Sequence, residues 1–173
     1  MKPLFNNAVI NQIKSALCTL SQCISSCPDT QWNEAHGDYP FSQVVFHTLF
    51  FTDYYLERDE SSFKEQAFHR ENREFFRDYE ELQWKEPVNL YGRRQCEEYL
   101  KFCIEKCEAT LQADDPKTLE GPSGFSSKPF PRAELYIQLI RHIQHHAAQL
   151  GLRLQLITGN ELPWVNSGWE EHN

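Results

Sequence analysis

The stretch from Pro131 to Thr158, PRAELYIQLIRHIQHHAAQLGLRLQLIT, constrains this chain more than any other. A proline suited to the first turn of a helix opens it, and no further proline interrupts the run. Leu135, Leu139, Ile143, Leu150 and Leu154 recur at helical spacing, so one side of the predicted helix faces a core. Inside that apolar stripe sit His142 and His146, with His145 beside them. Residues four apart stand one turn above each other, their Cβ atoms roughly 5–6 Å apart. Two imidazoles so placed can aim at one metal ion. A helical histidine is more often simply packed or hydrogen-bonded, so the pair gains meaning only if a third ligand reaches its level.

With 173 residues the chain reads as one domain, 1–173, long enough to bury a core without staples. A formal net charge of −8 argues against binding a nucleic-acid backbone, which calls for clustered Lys and Arg. Polar residues interrupt the N-terminal stretch MKPLFNNAVINQIKSALCTL, which reads as neither a signal peptide nor a spanning helix. No other segment supplies the roughly 20 apolar residues that a transmembrane helix needs. A soluble, cytoplasmic protein with no membrane partner is expected. The six cysteines include the pairs Cys23/Cys27 and Cys103/Cys107, each four apart. A zinc site from two such pairs is imaginable, but structural zinc sites use tighter spacing on loops, and buried free thiols on helix faces are the expectation.

Three further helices are predicted. The first runs from about Leu4 to Cys27, buried along Val9, Ile13, Leu17, Leu20 and Ile24 and stopped by Pro28. The second begins at Pro40 or Phe41 and ends near Leu56; it is so apolar that it must be covered over most of its circumference. His47 lies within it, and an imidazole in such surroundings needs a partner. The third spans about Gly92 to Gln112, with Cys96, Tyr99, Leu100, Cys103, Ile104 and Cys107 facing inward. Between the second and third, Glu57 to Tyr91 reads poorly as regular structure: short helical turns are expected from about Arg70 to Glu81, and Phe68, Phe75, Phe76 and Trp84 should pack over the helices or roof a pocket. His69 and His36 are both read as facing water. Pro87 and Asn89 mark the end of the connection. Beyond Gly159, the tail carries Trp164 and Trp169, which can cap the helices or a neighbouring subunit.

Helix rise offers a test of His47 as the third ligand. It lies ~9 Å from the start of its helix, while the His142/His146 pair is centred ~18 Å into the fourth. Parallel helices would separate the two levels by ~9 Å, too far for one ion. Antiparallel helices in a bundle ~30 Å tall bring His47 ~20 Å above the start of the fourth helix, close to level. That pairing makes the second and third helices run the same way, which requires a long crossover, and Glu57 to Tyr91 is long enough. An all-α, up-down-down-up four-helix bundle is therefore expected.

A histidine in the second helix, a long connection to the third, and the His142–His145–His146 segment followed by Gln149 in the fourth resemble the DinB-like (YfiT-like) superfamily of metal-dependent enzymes. The resemblance covers roughly Leu4 to Thr158. Many relatives carry HHRGQ where this chain has His145-His146-Ala147-Ala148-Gln149; the Gln is kept and the Arg and Gly are not. The resemblance implies a divalent metal, zinc or nickel, held by His47, His142 and His146. It further implies a small-molecule substrate, with transfer involving a low-molecular-weight thiol, or hydrolysis, as the reaction.

Three neutral imidazoles leave a coordination position open, the arrangement of a catalytic metal. Gln138 and Gln149, one turn to either side of the pair, and His145 are candidates for contacts behind the ligands or with substrate. Arg153 is read as a solvated helix-end residue, with an anionic group as the alternative partner. No carboxylate lies within a turn of the two histidines on that helix, so any protein base must come from the long connection. A di-iron carboxylate bundle needs Glu-x-x-His motifs, and Leu139 stands where the fourth helix would require Glu. HExxH metalloprotease chemistry fails likewise, because Ile143 follows His142. The remaining rival is a non-catalytic bundle that binds or dimerises, its tryptophans serving as interface residues.

Overall fold

A computed structural model describes residues 2–36, 39–77, 79–84 and 89–170. Expectations that rest on Pro87 and on the side chains of His36 and Trp84 fall outside the described residues. Among the described residues the fold is all-α but for one minimal hairpin, β1 (Ala35–His36) with β2 (Tyr39–Pro40). Four long helices dominate it: α1 (Lys2–Ser26), α2 (Phe41–Leu56), α6 (Arg93–Ala113) and α8 (Arg132–Thr158). Three short helices lie between α2 and α6, namely α3 (Ala67–Glu71), α4 (Arg73–Phe76) and α5 (Glu80–Trp84). A fourth, α7 (Pro116–Glu120), precedes α8.

Local chemistry sets these boundaries. α1 stops just before Pro28, whose ring disfavours helical backbone in the residue before it. Asp115 caps α7 by accepting from the Thr118 amide at 2.8 Å, with Pro116 in the first turn. Gly159 ends α8 in the left-handed conformation at φ 75°, which costs glycine nothing.

The long helices pack in a ring: α1 touches α6 and α8, and α2 touches the same two. α1 and α6 run oppositely, since Lys14 pairs with Glu108 at 2.5 Å while Arg93 donates to the carbonyls of Ile24 and Cys27. α2 and α6 run the same way: the Cys103 thiol reaches the Leu49 carbonyl and Lys106 reaches Asp53. α2 and α8 run oppositely, because Arg153 donates to Tyr39 at one end and Arg132 to Glu57 at the other. Arg153 is therefore not a solvated helix-end residue; it ties the last turns of α8 to β2.

Every residue of α2 is buried except Gln43 and His47, which lie one turn apart. α6 and α8 cover two of its sides, and residues 57–91 cover more: Phe46 stacks on Tyr91 with centroids 3.7 Å apart and meets Phe75 edge-on at 5.0 Å. Phe75 and Phe76 are buried and Phe68 half-buried, as expected of them. The six cysteines are free and buried, and burial pushes the Cys23 and Cys107 thiols up to about 12. The C-terminal tail returns along α1, where Gly168 donates to the Asn11 carbonyl at 3.0 Å. Within it Trp164 is exposed and Val165 buried. Among the described residues no helix is long and apolar enough to cross a membrane.

Candidate metal centre

α8 places His142 and His146 one turn apart on the side facing α2, and the opposed run of α2 brings His47 to their level. One nitrogen from each of the three rings lies within 4.8 Å of the others, and among the described residues this is the only group of His, Cys, Asp or Glu so gathered. His47 Nε2 and His142 Nε2 are 3.4 Å apart. A tetrahedral ion with Zn–N bonds near 2.05 Å would space its nitrogens by roughly 3.3 Å. The rings stand at steep angles, 78° between His47 and His146 and 80° between His142 and His146, so their lone pairs converge without the rings stacking.

The outward nitrogens matter as much, because the group each one donates to decides which tautomer faces the metal. His47 Nδ1 lies 2.5 Å from Oε1 of Glu81, in α5. A carboxylate only accepts, so Nδ1 carries the hydrogen, the tautomer of neutral imidazole in which Nε2 offers its lone pair to a metal. His146 Nδ1 donates in the same sense to Oε1 of Gln149, at 2.9 Å. His142 Nδ1 is buried without a partner, and so is Oε1 of Gln138, one turn earlier on the same helix. A donor-capable ring nitrogen and an acceptor oxygen are thus both orphaned, on residues one helical turn apart.

Burial keeps the His142 and His146 rings neutral. It is the main reason the His142 imidazole is pushed down to about 3, with His146, His47, His145 and Lys128 adding repulsion. His146 is pushed down to about 4, again chiefly by burial, then by His47, while the bond to Gln149 pulls the other way. Neutral imidazole is the form a metal needs. His145 lies outside the group: its ring is exposed, edge-on to His146 with centroids 5.0 Å apart.

Glu81 is the residue that sequence reasoning missed. It is 3% exposed, and its second oxygen, Oε2, is buried with no partner among the described residues. A second contact of the same type anchors the segment that delivers it. Asp53, wholly buried in α2, accepts from His69 Nε2 at 2.6 Å, Tyr99 at 2.7 Å and Lys106 at 2.6 Å. His69 Nδ1 meets the Tyr79 hydroxyl at 3.2 Å, two residues before Glu81. The expectation that His69 faces water is overturned: it is 1% exposed, and Asp53 supplies the partner that its burial demands. α2 therefore grips the connecting segment twice, once with a carboxylate on a histidine and once with a histidine on a carboxylate.

A cleft of about 700 Å³ opens beside His47 and His142. Phe51, Tyr54, Tyr55 and Leu82 give it apolar walls, and Lys128 and Gln138 add polar groups. Burial, then the nearby Glu60 charge, pushes the Tyr54 phenol up to about 12, so it stays a neutral hydroxyl.

Comparison with protein-family models, curated proteins and solved structures gives no match to this chain.

Proposed function

We propose that this chain is a metal-dependent enzyme of the DinB-like type, an up-down-down-up four-helix bundle with a divalent ion, zinc or nickel, held by Nε2 of His47, His142 and His146. The observation that carries the reading is the pairing of convergent inner nitrogens with acceptor-held outer ones, above all Glu81 on His47. The donor set fits: three imidazoles on long helices, no thiolate or carboxylate among them, and a cleft beside them for a further ligand. When bound, such an ion supplies Lewis acidity, lowering the pKa of a coordinated water or thiol or polarising a carbonyl.

The chain's own residues do the rest. Glu81 and Gln149 hold the Nδ1 protons of His47 and His146, and Gln138, one turn before His142, is the acceptor proposed for its Nδ1 proton. Glu81 is a carboxylate of a kind that α8 does not offer within a turn of His142 and His146, and it positions His47. Phe51, Tyr54 and Tyr55 exclude water and bind an apolar substrate body. The substrate is a small molecule, and a low-molecular-weight thiol is the co-substrate for a transfer reaction, with hydrolysis as the alternative. Free cysteines agree with a reducing, cytoplasmic setting.

A second reading, a non-catalytic bundle that pairs with its own copy, draws on one observation: Leu152, Leu156 and Trp164 are exposed at the end of α8 and the start of the tail. Assay of thiol transfer across an electrophile panel, with metal-loaded and chelated protein in parallel, separates the two. Activity confined to the loaded form supports the enzyme. Equal rates in both forms contradict it, and a dimer in sedimentation without any metal-dependent rate favours the second reading.

A further inference from the structure

We infer a separate anion-binding site on the outer face of the 57–91 connection, suited to a phosphorylated small molecule. Lys64, Arg70, Arg73 and Arg77 line a cleft of about 500 Å³ there, with Glu74 as the one carboxylate among the described residues and Tyr79 as the floor. Such an excess of cations stands out in a chain whose net charge is −8. Among the described residues Lys64, Arg70 and Arg73 enter no salt bridge, so their like charges repel one another across the cleft with Glu74 alone as a partial counter-charge in its lining. Arg77 is only partly engaged, donating to Asn89 Oδ1 at 2.6 Å.

The floor is built and not incidental. The Tyr79 hydroxyl is held by His69, and His69 by the buried Asp53, so the ring is fixed to the core. The Lys64 ammonium stands 4.7 Å from the centroid of that ring. Arg77 and Tyr79 both have positive φ, 49° and 58°, a strained conformation for a non-glycine residue and one that clusters at ligand clamps.

Guanidinium groups present forked donors that match phosphate oxygens two at a time, and several together favour a group carrying two or more negative charges. The concave shape and the negative charge of the remaining protein favour a small phosphorylated compound over a membrane or a nucleic acid. This site shares no residue with the metal centre, so the two readings stand or fall separately.

Calorimetric titration of the whole protein with inorganic pyrophosphate, phosphate and sulfate, at about 50 mM salt, tests it. Pyrophosphate should bind with a dissociation constant below about 1 mM, and Arg70→Ala/Arg73→Ala should weaken it at least about tenfold. Arg70→Lys/Arg73→Lys should fall between, and Arg94→Ala, which lies outside the cleft, should bind as wild type does. Both arginines are exposed, so the variants should keep the circular dichroism and melting midpoint of the unliganded protein. Absence of pyrophosphate binding overturns the inference, as does equal affinity in the double alanine variant. Binding of phosphatidylserine vesicles through these arginines without pyrophosphate binding overturns it in favour of a lipid surface.

Discussion

Oε1 of Glu81 lies 2.5 Å from Nδ1 of His47, and that contact joins the irregular 57–91 segment to the most deeply buried helix of the protein. It fixes the ring's tautomer as well as its orientation. Glu81→Ala should therefore lower zinc affinity about 10- to 100-fold, the usual cost of losing such an outer partner. Glu81→Gln, which keeps an acceptor but no charge, should lose less. Competition titration against a chromophoric chelator measures both, and unchanged affinity in Glu81→Ala would remove Glu81 from the site.

Acid should loosen the metal-free protein in a defined direction. His142 and His146 are held down to about 3 and about 4, against an ordinary value of 6.5. Between those limits the unfolded chain binds protons that the folded chain refuses, so stability rises with pH across the window. It is fully present above 6.5 and is lost as pH falls through about 4 and then about 3. Urea midpoints of chelated protein from about pH 7.5 down to about pH 4.5 should fall more steeply for wild type than for His142→Gln/His146→Gln. Parallel slopes would contradict the shifts.

Asp53 carries the larger structural burden. Burial alone would push its carboxyl up, but the hydrogen bond from His69 and the Lys106 charge outweigh that and hold it below its ordinary 3.8. Its contribution is present above that value and is lost as pH falls below it. Asp53→Asn leaves His69 without its carboxylate and Lys106 with Glu57 alone, and should cost about 1–3 kcal/mol in urea denaturation near neutral pH. A cost under about 1 kcal/mol would mean that the network adds little.

Gly124 governs the loop that brings Lys128 to the cleft. Its φ is 91°, and a Cβ there would stand 2.0 Å from the Arg58 carbonyl oxygen. Backbone cannot yield as a side chain tip can. Gly124→Ala should destabilise the protein by about 1–3 kcal/mol, read from the urea midpoint; an unaltered midpoint would show that the loop can shift freely.

The long helices were legible because proline and glycine punctuate them: Pro28, Pro40, Pro131 and Gly159 lie within a residue or two of observed ends. The level of His47 against His142 was legible because helix rise is a fixed length. Glu81 and His69 were not, for a shared reason. Both sit among alternating charges and aromatics where no period separates an inward side chain from an outward one, and their partners, His47 and Asp53, are 34 and 16 residues away. Nothing near Glu81 distinguishes it from Glu80, its neighbour. His69 carried the apparent signature of a surface residue, Arg70 and Glu71, yet Phe63 and Phe76 pack on its ring.

The central claim is that three imidazoles gather one ion, and X-ray absorption at the metal edge tests it most directly. Protein loaded with zinc or nickel and freed of excess should hold about one ion per chain, with three nitrogen neighbours at about 2.0–2.1 Å for zinc, and His47→Ala should lose it. Metal that remains at full stoichiometry in His47→Ala, or a wild-type shell without three imidazoles, would contradict the account.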